Sequence, residues 1–260
     1  MNEELQKITA RALDAKLELL PFLPELLSDL WALGSYPDLI TAMLRSQNLL
    51  AATTRVLDLG CGKGAVSITL ARELGYRVLG IDSFEPFVED AKTKAREHVV
   101  SDLCSFECGD LRDRLKQSGD YDVVIYASVG QVLGSMETCV AALCRAVKPG
   151  GFMLIDDCYL ADAESTERNG YENLGSHAQT LRRLGACNDD LIEEIIIPDR
   201  DVRAMNRAYI ECIGKRAQGL ARRYPDKADI FRWYVENQKS ESMFIETHLK
   251  SAIWLVRRCA

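Results

Sequence analysis

Three carboxylates and three glycines in the first half of the chain have the types and spacing to hold a small polar ligand. Asp58 stands just before Gly60, Gly62 and Gly64, which alternate with Cys61 and Lys63. Glycine can take positive φ in a tight turn, and its missing Cβ lets a ligand approach the backbone. If a helix starts directly after the turn, its first amides face that ligand. Gly60, Gly62 and Ala65 also satisfy a loose Gly-x-Gly-x-x-Gly/Ala dinucleotide fingerprint. Asp58 opposes that reading, because it would repel a pyrophosphate. A carboxylate beside bare amides better suits a zwitterionic amino-acid ligand carrying a sulfonium. Further on, Asp82 could accept both hydroxyls of a ribose. Asp110, beside Gly109, is either another ligand acceptor or a turn aspartate.

Such residues need strands that end where they begin. Val56, Leu57 and Leu59 make a buried strand around Asp58, and Val66, Leu70 and Leu74 recur at helical spacing after the glycines. Residues 77–81 form a second strand ending in Asp82, and Ser83 and Pro86 open a helix to about His98. Residues 104–108 are a third strand and 121–126 a fourth. Ser135 N-caps a helix over 135–147, which Lys148-Pro149-Gly150-Gly151 stops. A fifth strand, 152–155, ends in Asp156-Asp157. Alternating strands and helices predict an α/β fold, a parallel sheet covered on both faces. Residues 1–50 read as helices interrupted by Pro21 and Pro24, an N-terminal cap in which Tyr36 is the residue to watch. Beyond 160 the pattern predicts a helix over 172–184, a strand over 191–197, helices over 199–223 and 225–241, and a last strand over 252–256.

The 260 residues, 47% of them hydrophobic, suffice for one sizeable core with a cap. A net charge of −7 argues against nucleic acid as the main partner, since such affinity rests on neutralising phosphates. The doublets Arg182-Arg183, Arg222-Arg223 and Arg257-Arg258 read as solvated ends of elements. Nine cysteines without a Cys-x-x-Cys pair fit free thiols in a reducing compartment, so a cytoplasmic protein is expected. The first residues lack the basic n-region of a signal peptide, and no apolar run reaches membrane-spanning length. No membrane partner is expected, and a homodimer is left open.

Five ordered motifs within residues 54–158 resemble the class I S-adenosylmethionine (SAM) methyltransferases. They are Asp58 to Gly64, Asp82, Gly109-Asp110-Leu111, the strand Tyr121 to Ser128, and Leu143 to Phe152 with its Lys-Pro-Gly-Gly. The resemblance implies a Rossmann-like, doubly wound, seven-stranded, mostly parallel sheet of order 3-2-1-4-5-7-6. It implies SAM as cofactor, held by Asp58, Gly60, Cys61, Gly62, Gly64, Asp82, Ser83, Asp110, Leu111, Ala127 and Ser128. Asp110 would accept from the adenine amino group, with Leu111 packed on the ring. The implied reaction moves a methyl group to a small-molecule acceptor by in-line displacement. An NAD-binding oxidoreductase and a non-catalytic SAM-binding protein are the alternatives.

Two subfamilies are disfavoured. Ala127-Ser128-Val129-Gly130 is not the Asp/Asn-Pro-Pro-aromatic motif of enzymes that methylate amino groups in nucleic acids. Magnesium-dependent catechol-type enzymes place an aspartate where Ala127 stands, so Asp156-Asp157 is an incomplete ligand set and no metal is expected. The layout is then a cap at 1–50, a SAM-binding core at 51–198, a helical insertion at 199–248 serving as lid or partner surface, and a final core strand at 249–260. Tyr36, Asp157, Tyr159 and His177 are the expected substrate-side residues, and no catalytic residue is assigned. His98 and His248 read as structural, and Cys104 and Cys108, on one strand face, as core rather than an arsenic site.

Overall fold

Apolar runs build seven strands into one sheet: β1 (Arg55–Leu59), β2 (Arg77–Asp82), β3 (Cys104–Cys108), β4 (Tyr121–Ala127), β5 (Val147–Leu160), β6 (Asp190–Ile196) and β7 (Leu249–Arg257). A computed structural model describes all residues except 1, 2, 52, 118, 163, 164, 188 and 260. The order is β3-β2-β1-β4-β5-β7-β6, as the motifs implied. β7 pairs antiparallel with β5 and β6, and the other pairs are parallel. The helices are α1 (Glu3–Ala12), α2 (Leu23–Leu26), α3 (Pro37–Arg45), α4 (Ala65–Leu74), α5 (Glu85–Glu97), α6 (Leu111–Arg114), α7 (Met136–Leu143), α8 (His177–Leu184), α9 (Asp199–Arg223) and α10 (Ala228–His248). Among the described residues no helix is long and apolar enough to cross a membrane.

Strand alternation divides the core. Val56, Ile125, Leu154 and Ile253 enter one cluster with residues of α3, α4 and α5. Leu57, Val124, Met153 and Trp254 enter another with residues of α7 and α8. Because β1 and β4 are covered on both faces, they read as nearly continuous apolar runs.

A third cluster joins the N-terminal helical segment to α9 and α10. Leu19, Leu23 and Leu26 pack with Ile213 and Leu220 of α9, Phe231 and Tyr234 of α10, and Phe84 and Phe87 near the start of α5. Arg216 Nε donates to Asp29 Oδ2 at 2.7 Å along its edge, and Arg223 pairs with Glu25. These exposed pairs are worth little; the buried leucines and aromatics hold the two segments together.

Several boundaries differ from the sequence expectation. The helix expected over 135–147 ends at Leu143. Lys148 to Gly151 instead lie within β5, at a register shift opposite Tyr121 and Val123. α8 starts only at His177, where Ser176 and Gln179 form a capping box. Pro21 stands inside a 3-10 turn, and the helix that follows it is four residues long.

Candidate functional site

The glycine turn between β1 and α4 is built as the sequence suggested, but its three glycines act differently. Their φ values are 70°, 51° and 76° for Gly60, Gly62 and Gly64. A Cβ on Gly60 would stand 2.6 Å from Val129 Cγ2, and one on Gly64 would stand 3.0 Å from Ala91 and Phe106. Those two positions need glycine for packing. A Cβ on Gly62 would meet only Leu33 Cδ1, at 3.0 Å. Gly62 is the position where a missing side chain leaves the backbone open to a ligand.

The three carboxylates are held by nearby donors. Asp58 is buried and accepts from Ser67 Oγ at 2.6 Å; burial pushes its carboxyl up to about 6. Asp82 accepts from the Gly62 amide at 2.9 Å and the Phe84 amide at 2.8 Å, so it ties the glycine turn to the start of α5. Burial raises its pKa also. Asp110 caps α6 through the Arg112 amide at 2.8 Å and takes the Arg112 guanidinium, with Nη2 at 2.6 Å. Burial alone would raise its pKa, but the Arg112 contacts outweigh it and hold the carboxyl below the usual range.

A cavity of about 130 Å³ lies at the carboxyl ends of β1, β2 and β4. All the residues expected around the cofactor line it except Gly64, which is turned toward α5 and β3. Leu5 and Thr9 of α1 and Trp31 and Leu33 of the cap close it. The cap is fastened to the glycine turn at two points. Trp31 Nε1 donates to the Lys63 carbonyl at 3.0 Å, and the buried Lys63 Nζ donates to the Leu27 carbonyl at 2.6 Å.

A larger cavity, about 490 Å³, adjoins the first and shares Ile8, Leu33, Ser128 and Val129 with it. Leu33 and Ser128 hold φ of 45° and 55°, a region that non-glycine residues seldom adopt. Such strain persists only where the surroundings enforce it, commonly at functional sites.

The second cavity is bounded by the end of β5, the cap, α9 and α10. Tyr36 and Asp157, two of the residues expected on the substrate side, line it. Tyr36 Oη is buried without a hydrogen-bond partner. Asp157 is pushed up to about 6 by burial. Asp156, not singled out from Asp157 in the sequence reading, lines the cavity and is pushed up to about 8 by burial and then by the charge of Asp157. Asp14 and Glu241 also line it, and sequence reasoning missed both. Burial and then Glu241 push Asp14 up to about 7. Glu241 accepts from Arg168 Nη2 at 2.6 Å and from the Tyr171 hydroxyl.

Tyr159 and His177 line neither cavity, contrary to the sequence expectation. β5 was expected to end at 155 but runs to Leu160, so Tyr159 still pairs in the sheet, opposite Lys250. Its side chain is therefore committed to the face covered by α8. His177 packs on that ring at 4.7 Å, and its Nε2 lies 2.8 Å from Glu194 Oε1, which also accepts from Trp254 Nε1. Among the described residues, the one thiol and carboxylate group spaced to hold a metal ion is Cys144, Cys187 and Asp189, and it lines neither cavity.

A mixed sheet of this order, with a glycine turn and carboxylates at its strand ends, is the Rossmann-like methyltransferase fold. The family described as Methyltransferase domain matches residues 50–219, well over half of the chain, and the chain belongs to that family. It is 30% identical over 154 residues to YjhP, an uncharacterized protein of Escherichia coli (strain K12), covering 57% of this chain and 62% of YjhP. It is 35% identical over 103 residues to the Ubiquinone biosynthesis O-methyltransferase of Mesorhizobium japonicum, covering 39% of each. The chain thus spans less than two thirds of either relative's length. Its fold matches a SAM-dependent methyltransferase from Geobacter sulfurreducens in complex with S-adenosyl-L-homocysteine, with TM-score 0.72, 23% identity, and coverage of 85% of this chain and 89% of that one.

Proposed function

We propose that this protein is a SAM-dependent methyltransferase that moves a methyl group to a small-molecule acceptor in the cytoplasm. The contiguity of the two chambers carries this reading: a glycine-turn chamber opens, across Leu33 and Ser128, onto a larger one walled by the insertion. The first chamber's residues fit the cofactor. The open backbone at Gly62 and the buried Asp58 suit its amino-acid part, Asp82 and Ser83 its ribose, and Asp110 with Leu111 its adenine. Ala127 and Ser128 would flank the sulfur at the passage between chambers. Bound SAM supplies a methyl group already activated by the sulfonium.

The chain's own work is then to align and to exclude water. α1 and the cap cover the first chamber, and α9 and α10 wall the second. Orientation of this kind supplies roughly 7–11 kcal/mol in well-built cases. A base is required only for an acceptor that arrives protonated. Free thiols at all nine cysteines support the cytoplasmic assignment.

Calorimetric titration with SAM, S-adenosylhomocysteine and NAD tests the first half of this reading. Saturable binding of the two adenosyl ligands and none of NAD is expected. Incubation with methyl-labelled SAM and a metabolite extract tests the second half, with label expected in the small-molecule fraction. NAD binding in place of SAM would indicate an oxidoreductase, and SAM binding without transfer a non-catalytic binder.

A further inference from the structure

We propose that the methyl acceptor is an amine, held as its ammonium ion in the second chamber and deprotonated there by Asp156. The inference rests on the methyltransferase reading and adds the substrate class. Asp14, Asp156, Asp157 and Glu241 all line this chamber. Glu241 is paired with Arg168. The other three make no ion pair among the described residues, and only Asp14 feels a cation, the Arg168 charge already taken by Glu241. The two arginines that line the chamber are committed elsewhere: Arg11 to Glu172 at 3.4 Å and Arg112 to Asp110 at 2.6 Å. Buried carboxyls without a cation are costly. A cation brought by the ligand would relieve that cost.

The carboxyls face a common space. Asp156 feels Asp157; Cys158 feels both of them and Glu241; Tyr171 feels Cys158, Glu241 and Asp14. Aromatic rings complete the recognition. Tyr36, Tyr171, Tyr209 and Tyr234 line the same chamber, and aromatic faces with carboxylates are the surroundings that bind ammonium groups. An anionic acceptor would be repelled from this chamber. Ser128, with φ of 55°, holds a backbone conformation there that few non-glycine residues adopt.

The chemistry balances. The ammonium proton passes to the Asp156 carboxylate and then to solvent. The freed nitrogen lone pair forms the N–C bond, and the methyl–sulfur bond breaks with its electron pair left on sulfur. Burial raises all three carboxyls, with Asp157 adding to the rise of Asp156 and Glu241 to that of Asp14; Asp156, at about 8, is mostly protonated at neutral pH and accepts the ammonium proton once the bound cation has ionised it. A bound cation favours the charged form of all three. Its binding therefore releases protons, and its affinity rises with pH until they have ionised.

The test uses the full chain saturated with S-adenosylhomocysteine and three probes: benzyltrimethylammonium, benzyl alcohol and phenylacetate. The ammonium should bind about tenfold more tightly than the alcohol, with phenylacetate weakest, a gap in keeping with one desolvated cation–aromatic contact. Its affinity should rise from pH 6 to pH 8. The double variant Asp14→Asn/Asp156→Asn should lose most of the preference and of the pH dependence, with Asp157 left to titrate, while keeping S-adenosylhomocysteine affinity. Equal or tighter binding of the alcohol or the carboxylate would overturn the amine assignment. So would ammonium binding that ignores both pH and the double variant. Failure of S-adenosylhomocysteine to bind would overturn the methyltransferase reading and this one with it.

Discussion

Replacing Asp156 by asparagine should stabilise the protein at neutral pH, by an amount that grows as pH rises. The side chain is only 3% exposed, and its nearest side-chain donor, Ser128 Oγ, is 3.5 Å away. Burial first, and the charge of Asp157 second, raise its pKa from 3.8 to about 8. A carboxyl raised on folding binds its proton more tightly in the native state than in the unfolded chain. Its favourable effect is therefore complete below the unfolded value of 3.8 and is lost progressively as pH rises toward the folded value of about 8. At about 1.4 kcal/mol per pKa unit, the wild type should lose roughly 2–3 kcal/mol through this group between pH 5 and pH 7. Asparagine does not titrate and keeps the shape. Urea unfolding of both proteins at pH 5, 6 and 7 reads the effect directly. The stability difference should widen in favour of Asp156→Asn by about 2–3 kcal/mol over that range. Parallel curves would refute the burial argument, and a gap that narrows with pH would mean that Asp156 is ionised and paired in the native state.

Four further outcomes are expected. Gly62→Val should abolish S-adenosylhomocysteine binding and lower the thermal transition without removing it, since φ of 51° strains a β-branched residue while the added Cβ meets only Leu33; normal binding would remove this turn from the site. Asp82→Ala should weaken SAM and S-adenosylhomocysteine alike by roughly 1.5–3 kcal/mol and also lower stability, because two backbone amides lose their acceptor. By contrast, Asp110→Ala should weaken adenosine-containing ligands but not methionine, with about 1 kcal/mol of stability lost from the α6 cap; equal losses for both ligands would take Asp110 out of the adenine contact. Replacing 199–248 by a short turn should abolish soluble folding rather than methyl transfer alone, because Leu19, Leu23 and Leu26 would be uncovered; a monomer with native-like circular dichroism would count against the shared cap.

What the sequence determined by itself is the sheet and the first chamber. Asp58, Gly60 and Gly62 sit within one strand-turn-helix, Asp82 ends a strand whose apolar run is visible, and Asp110 stands beside Gly109 two residues past a short third strand. Each of these positions follows from residues a few places away, because strand period, glycine turns and helix starts are local physics. The antiparallel edge and the strand order came with the family resemblance. Only the tertiary structure decided the second chamber. Asp14 and Glu241 come from opposite ends of the chain, and no local pattern links them. Tyr159 was misplaced because β5 continues past its apolar run, held by pairing with β7 to Leu160. Gly64 looked like its neighbours in the turn, yet its missing Cβ is filled by Ala91 and Phe106 from α5 and β3. The face a side chain takes, and the groups it meets there, depend on how far a strand is paired and on which distant helix packs against it.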